Sequence, residues 1–185
     1  MPLSQTEWTA EMLNDFPDDG NRYEVIDGEL FVTPSPADIH QYAVGELYAL
    51  LLPYAKLVGV NVLTAPSAVR FSDRREVQPD LYVTPRLPNG QRPEKFTDIK
   101  MLLLAVEVLS PSTMRTDRVR KRTLYQDEHV ADYWIVDTAS RAIEHWTPRA
   151  VEADIRSATV RWQPVRGHEP LIIDVAHYFR EVFGE

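Results

Sequence analysis

Met101-Leu102-Leu103-Leu104-Ala105-Val106-Glu107-Val108-Leu109 is an apolar run interrupted by a single charge, Glu107. It has no helical spacing, and an apolar stretch of this length predicts a strand covered on both faces. An ionised carboxylate in such a strand costs several kcal/mol unless a positive group compensates it. Upstream, Pro79-Asp80-Leu81-Tyr82-Val83 repeats the arrangement, with one acid at the head of a short β-prone run. Two acids on neighbouring buried strands suggest a divalent-metal site.

The flanks supply the rest of an α/β pattern. Residues 1–20 read as a short helix, Thr6 to Phe16, ending in the turn-rich Pro17-Asp18-Asp19-Gly20. Arg22–Ile26 and Glu29–Thr33 read as two strands joined by Asp27-Gly28, a strong two-residue hairpin turn. Ser35 and Pro36 predict the cap and first position of a helix whose buried face carries Ile39, Ala43, Leu47, Leu50, Leu51 and Tyr54, with Pro53 bending or ending it. Strands follow around 58–64, 67–71 and 80–84, then a proline-rich surface loop at 85–98. Beyond the central run, a helix over 114–129 is capped by Ser112 or Thr113. Tyr133–Val136 reads as a buried strand, Ala142–Trp146 and Ser157–Trp162 as an antiparallel pair, and the chain closes on a strand near Leu171–Ile173 and a helix over 175–183. The expectation is one α/β domain, 1–185, with a mixed central sheet flanked by helices and an N-terminal hairpin; residues 21–185 form its core.

Composition narrows the chemistry. The 185 residues are 44% hydrophobic and 26% charged, ordinary for a globular chain. With no cysteine, thiolate-zinc sites, disulfides and thiol catalysis are excluded. The five histidines show no HxxxH or HExxH spacing, which leaves carboxylates as metal ligands and favours hard ions. The start of the chain lacks a signal-peptide layout and no run reaches membrane-spanning length, so the expectation is a cytoplasmic protein without a membrane partner. A formal net charge of −8 counts against a sequence-wide phosphate-binding surface. Arg115, Arg118, Arg120, Lys121 and Arg122 form a local exception.

On the helix over 114–129, Leu124 and Tyr125 are best placed to face the sheet, and Lys121 precedes them by three and four positions, on the same side. Lys121 is therefore expected to reach back towards Glu107 and Asp80, where an ammonium beside two carboxylates suits a phosphoryl-transfer site. Glu24, alternating with Tyr23 and Val25, is a fourth candidate.

Five segments in order, Arg22–Leu30, Val77–Asp80, Val106–Thr113, Asp117–Lys121 and Asp132–Asp137, resemble the PD-(D/E)XK nuclease superfamily and, within it, the Uma-two family of putative restriction endonucleases. The resemblance covers residues 20–180 and implies a restriction endonuclease-like fold and a metal-dependent endonuclease cutting DNA. It also implies magnesium, with manganese as a substitute, held by Asp80, Glu107 and the Val108 carbonyl. Lys121 would be the motif lysine and Glu24 the acid from the first strand or helix. The motif's usual lysine, two residues after the glutamate, is Leu109 here, so Lys121 must deliver its amine from the helix. His40 would line the cleft, and Arg118 and Arg122 would contact substrate phosphates. Nucleases that cut both strands often act as two-fold dimers, and the segments near Trp146 and Trp162 are the candidate interface.

Each residue also has a plainer reading. Asp80 can bind a turn, Glu107 can pair with a buried arginine, and Lys121 can be a solvated residue paired with Asp117. Glu24 can be a hairpin surface residue, His40 a helix-surface histidine, and the arginines an ordinary charged face. Two other functions stay open: a non-cutting nuclease-like interaction module, and a metal enzyme acting on a small phosphorylated substrate.

Overall fold

The structure, a computed structural model, describes residues 7–98 and 101–185. Arg22–Ile26 (β1) and Glu29–Thr33 (β2) form the expected hairpin, and Asp27 and Gly28 take positive φ angles of 54° and 83°, the turn whose twist matches paired strands. Asp38–Val58 (α1) follows, then Val60–Thr64 (β3), Val69–Ser72 (β4), Arg75–Val77 (β5), Leu81–Pro85 (β6) and Leu104–Val108 (β7). The next helical segment, 114–127, contains a π-helical turn, Thr116–Lys121, and an α-helix, Arg122–Asp127 (α2). Asp132–Asp137 (β8), Ala142–Trp146 (β9), Asp154–Arg156 (β10), Thr159–Trp162 (β11), Leu171–Asp174 (β12) and Val175–Phe183 (α3) complete the order.

A mixed six-stranded sheet, β10-β9-β8-β7-β6-β3, is the centre, with β7 and β8 its parallel pair. Parallel neighbours need a crossover, and the 114–127 helical segment provides it. All five residues of β7 are buried because both faces are covered. Leu104, Val106 and Val108 pack with α1 and α3, while Ala105 packs with Leu124 and Tyr125 of α2. Full burial of each large apolar side chain contributes about 1.5–3 kcal/mol. The hairpin joins β5 and β4 in a second sheet, β2-β1-β5-β4, whose Ile26, Val69 and Val77 close the α2 side. Among the described residues no helix is long and apolar enough to cross a membrane.

Several expectations are corrected. The helix over 6–16 reduces to a 3-10 turn, Glu11–Asp15, and Thr6 lies outside the described residues. The Trp8 and Ala10 amides donate to the Gly28 and Asp73 carbonyls instead of a helical ladder, and Phe16 stacks on Tyr23 with centroids 4.4 Å apart. Ser35 does not cap α1, which starts after Ala37; the Ser35 hydroxyl donates to the Gly20 carbonyl at 2.8 Å. Pro53 does not end α1. It and Ala49, whose carbonyl loses its partner, are both on the exposed side, while Leu47, Leu51, Tyr54 and Val58 anchor the opposite face.

The C-terminal pairing also differs. Ala142–Trp146 pairs with Asp154–Arg156, and Thr159–Trp162 with Leu171–Asp174 in a separate two-stranded sheet. Trp162 leaves the central sheet to pack between Tyr54 and Trp134, centroids 5.9 and 6.0 Å away. Trp146 and Trp162 are both buried within the chain, so they offer no dimer surface.

Candidate functional site

Two-residue alternation along β7 turns Glu107 away from α1 and towards the helical segment that follows. That segment buries Asp117, Lys121, Leu124 and Tyr125 on one side. Its π-helical turn is marked by the Arg122 amide reaching the Asp117 carbonyl, five residues back, and Tyr133 donates its hydroxyl to the same carbonyl at 3.1 Å. Lys121 Nζ then donates to Glu107 Oε1 at 2.9 Å and lies 2.9 Å from Glu24 Oε1 and 3.9 Å from Asp117 Oδ1. Tyr125 donates to Glu107 Oε1 at 3.0 Å, and the Gln78 amide to Glu24 Oε1 at 2.7 Å.

Asp80 sits just before β6 and is held from three sides. Arg22 Nη1 donates to Oδ1 at 2.8 Å, and His40 Nε2 and the Val108 amide donate to Oδ2 at 2.9 and 2.8 Å. These groups line one cavity of about 210 Å³, which also reaches Ser110 and Ser112.

The charges do not balance. Four buried carboxyl groups, Glu24, Asp80, Glu107 and Asp117, face two permanent cations, Lys121 and Arg22. Burial pushes Asp80 up, but the His40 bond, the Arg22 charge and the Val108 amide outweigh it and bring its pKa to about 2. Burial, with Asp80, Asp117 and Glu24 as like-charged neighbours, drives Glu107 well above the usual carboxylate range despite Lys121. Burial likewise lifts Asp117 to about 6 against the pull of Lys121. Lys121 itself stays protonated: burial disfavours its charge, and Glu107, Glu24 and Asp117 overcome that.

The donor set can be tested against a divalent ion. Among the described residues no three His, Asp or Glu side chains form a preassembled metal cage. Among the described residues the hydrogen bonds and ion pairs of Glu107 and Glu24 engage Oε1 of each, and both residues line the cavity. Oxygen donors with excess negative charge fit a hard cation that keeps several waters, as magnesium does.

Of the residues singled out from sequence, Glu24, His40, Asp80, Glu107, Val108 and Lys121 converge on this cavity. Arg118 and Arg122 do not. Arg118 donates to Glu144 Oε1 at 2.7 Å and Asp137 Oδ2 at 3.0 Å, and Arg122 lies over the Trp146 ring at 4.8 Å. The charged face that held both in sequence turns away from the cavity. Sequence reasoning misses Arg22 and Asp117 as members of the site. Their signals are spacing alone: Arg22 precedes Glu24 by two on a strand, and Asp117 precedes Lys121 by four on a helix.

Comparison with known proteins agrees with the geometry. No curated protein matches this chain. A crystal structure of a putative nuclease belonging to DUF820 from Anabaena variabilis ATCC 29413 is similar, with a TM-score of 0.75 and 19% identity over 94% of this chain and 98% of that one. At that identity the likeness establishes the shared fold. Residues 10–175, most of the sequence, match the family Uma2, described as "Putative restriction endonuclease". Matched over most of its length by that family, the chain belongs to the Uma2 family.

Proposed function

We propose that this protein is a magnesium-dependent endonuclease hydrolysing phosphodiester bonds in DNA. The observation that carries the reading is the convergence of Asp80, Glu107 and Lys121, from three separate elements, on one cavity with surplus negative charge. Asp80, Glu107 and the Val108 carbonyl would hold magnesium, or manganese in its place. When bound, the ion would act as a Lewis acid on the phosphoryl group and lower the pKa of a water. Lys121 holds the Glu107 and Glu24 carboxyl groups in place. Tyr125 fixes the Glu107 carboxylate from a second direction. His40 and the Val108 amide orient Asp80.

Purified protein incubated with plasmid and linear DNA should cut with added magnesium and not with chelator. Asp80→Asn and Glu107→Gln should abolish cutting while retaining the fold by circular dichroism. Absence of cleavage of any DNA form in magnesium or manganese would sink the proposal. One observation favours a non-cutting interaction module instead: both Asp80 oxygens are already engaged by protein donors. That reading predicts no magnesium-dependent stabilisation.

A further inference from the structure

The two permanent cations of the cavity are placed differently. Lys121 is sealed, its side chain 3% exposed and its ammonium shared between Glu24 and Glu107 at 2.9 Å each. A phosphate could reach it only by displacing a carboxylate. Arg22 stands at the mouth, its side chain 19% exposed. Its Nη1 is committed to Asp80 Oδ1 and to the Gln78 carbonyl, at 2.8 and 2.9 Å.

A guanidinium carries five N–H donors in a rigid fork that matches phosphate oxygens. Nε and Nη2 of Arg22 make no hydrogen bond among the described residues, and neither is among the sealed, unpartnered atoms. They are therefore reachable by solvent. Arg22 and Glu24 alternate along β1, so both project to the cavity side, and β1 is braced between β2 and β5. The fork is thus fixed at both ends, by the strand behind it and by Asp80 in front.

We propose that Arg22 is the phosphate-contacting residue of the site, holding Asp80 through Nη1 while Nε and Nη2 take a non-bridging oxygen of the DNA phosphodiester. The inference rests on the nuclease reading and adds the group that touches the substrate.

The test compares wild type with Arg22→Gln and Arg22→Lys. A fluorescein-labelled duplex is titrated by anisotropy over a salt series with calcium replacing magnesium, and manganese binding is measured by calorimetry without DNA. Arg22→Gln should weaken duplex affinity about tenfold or more and lower the salt slope by about one. Its manganese affinity should not fall, since a cation that competes with the metal ion for Asp80 has gone. Arg22→Lys should keep the salt slope and lose part of the affinity, because the ammonium keeps the charge without the fork. Wild-type affinity and slope in Arg22→Gln, with manganese binding lost, would reduce Arg22 to positioning Asp80; the inference would fall and the nuclease reading would stand. A wild-type protein that binds neither duplex nor manganese overturns both. If Arg22→Gln does not fold, Arg22→Lys decides alone: weakened duplex affinity with intact manganese binding supports the assignment, and wild-type duplex affinity overturns it.

Discussion

Lys121 Nζ lies 2.9 Å from an oxygen of Glu107 on β7 and 2.9 Å from an oxygen of Glu24 on β1, so one ammonium ties the central sheet to the hairpin sheet. Both carboxylates depend on it, because no other cation lies within ion-pair distance of either among the described residues. Removing one partner of a buried pair strands the remaining charge and costs about 3–5 kcal/mol. Lys121→Met is therefore expected to lower the unfolding free energy by about 3 kcal/mol and to abolish cleavage. Urea denaturation checks the first part. Adding Glu107→Gln to Lys121→Met should recover some of the loss, the non-additivity expected of groups in contact.

Opposite pH dependences meet in this cavity. The Asp80 pKa, brought down to about 2, contributes stability that is present above its unfolded value of 3.8 and lost as pH falls through 2. Asp117 behaves the other way. Its pKa is raised to about 6, so the native state holds the proton more tightly and stability falls as pH rises from 3.8 to 6. Glu107, also raised, adds to that fall at higher pH. Metal-free protein should thus be more stable near pH 5 than near pH 8. Asp117→Asn should flatten the decline and gain on the order of 2 kcal/mol at pH 8. Thermal melts across pH, with chelator present, measure it; a variant whose profile overlays wild type refutes it.

A bound divalent cation should reverse the penalty of those ionised carboxylates. Manganese at about one hundred times its dissociation constant is expected to stabilise the native state by about 2.7 kcal/mol. The effect should be stronger at pH 8 than at pH 5, because protons compete for Glu107 and Asp117. Differential scanning calorimetry with wild type, Asp80→Asn and Glu107→Gln reads this directly. Equal shifts in all three proteins would place the ion elsewhere.

Arg75 joins three acids at once: Asp27 of the hairpin turn at 2.6 Å, Asp127 at 3.0 Å and Glu128 at 2.8 Å. It thereby fastens the hairpin to the end of α2, on which Lys121 depends. A network centred on a half-buried arginine outweighs an isolated surface pair, and Arg75→Ala should destabilise by about 1–2 kcal/mol. High salt should reduce the difference between variant and wild type. A salt-independent difference would instead assign the loss to packing of the arginine stem.

How legible the molecule was from sequence follows from which forces were local. Glu107 was readable because a lone acid in a fully apolar strand demands a partner, and the hairpin because Asp27-Gly28 fixes its own turn. Lys121 was readable from its spacing to Leu124 and Tyr125. The errors arose where tertiary contacts outweigh local preference. Ser35 spends its hydroxyl on Gly20 rather than on α1, and Trp162 is drawn to Tyr54 and Trp134 rather than to a strand beside β9. Proximity in the chain groups Arg118 and Arg122 with Lys121, yet helical rotation sends them to Glu144 and Trp146. Arg22 has no local anomaly at all, since an arginine heading a hairpin strand is ordinary until Asp80 meets it.

The widened turn at Thr116–Lys121 has a further consequence. It absorbs one residue more than a regular helix would, so the aim of the Lys121 amine depends on a backbone length as well as on side-chain identity. Excising a single outward residue there, such as Val119, should rewind the turn to regular helix with its two flanks in nearly the same phase, whereas inserting one should swing them by about 100° relative to each other. Substituting that same exposed residue should leave the aim unchanged. The cavity is thus more vulnerable to a three-nucleotide insertion than to any ordinary missense change on that outer surface.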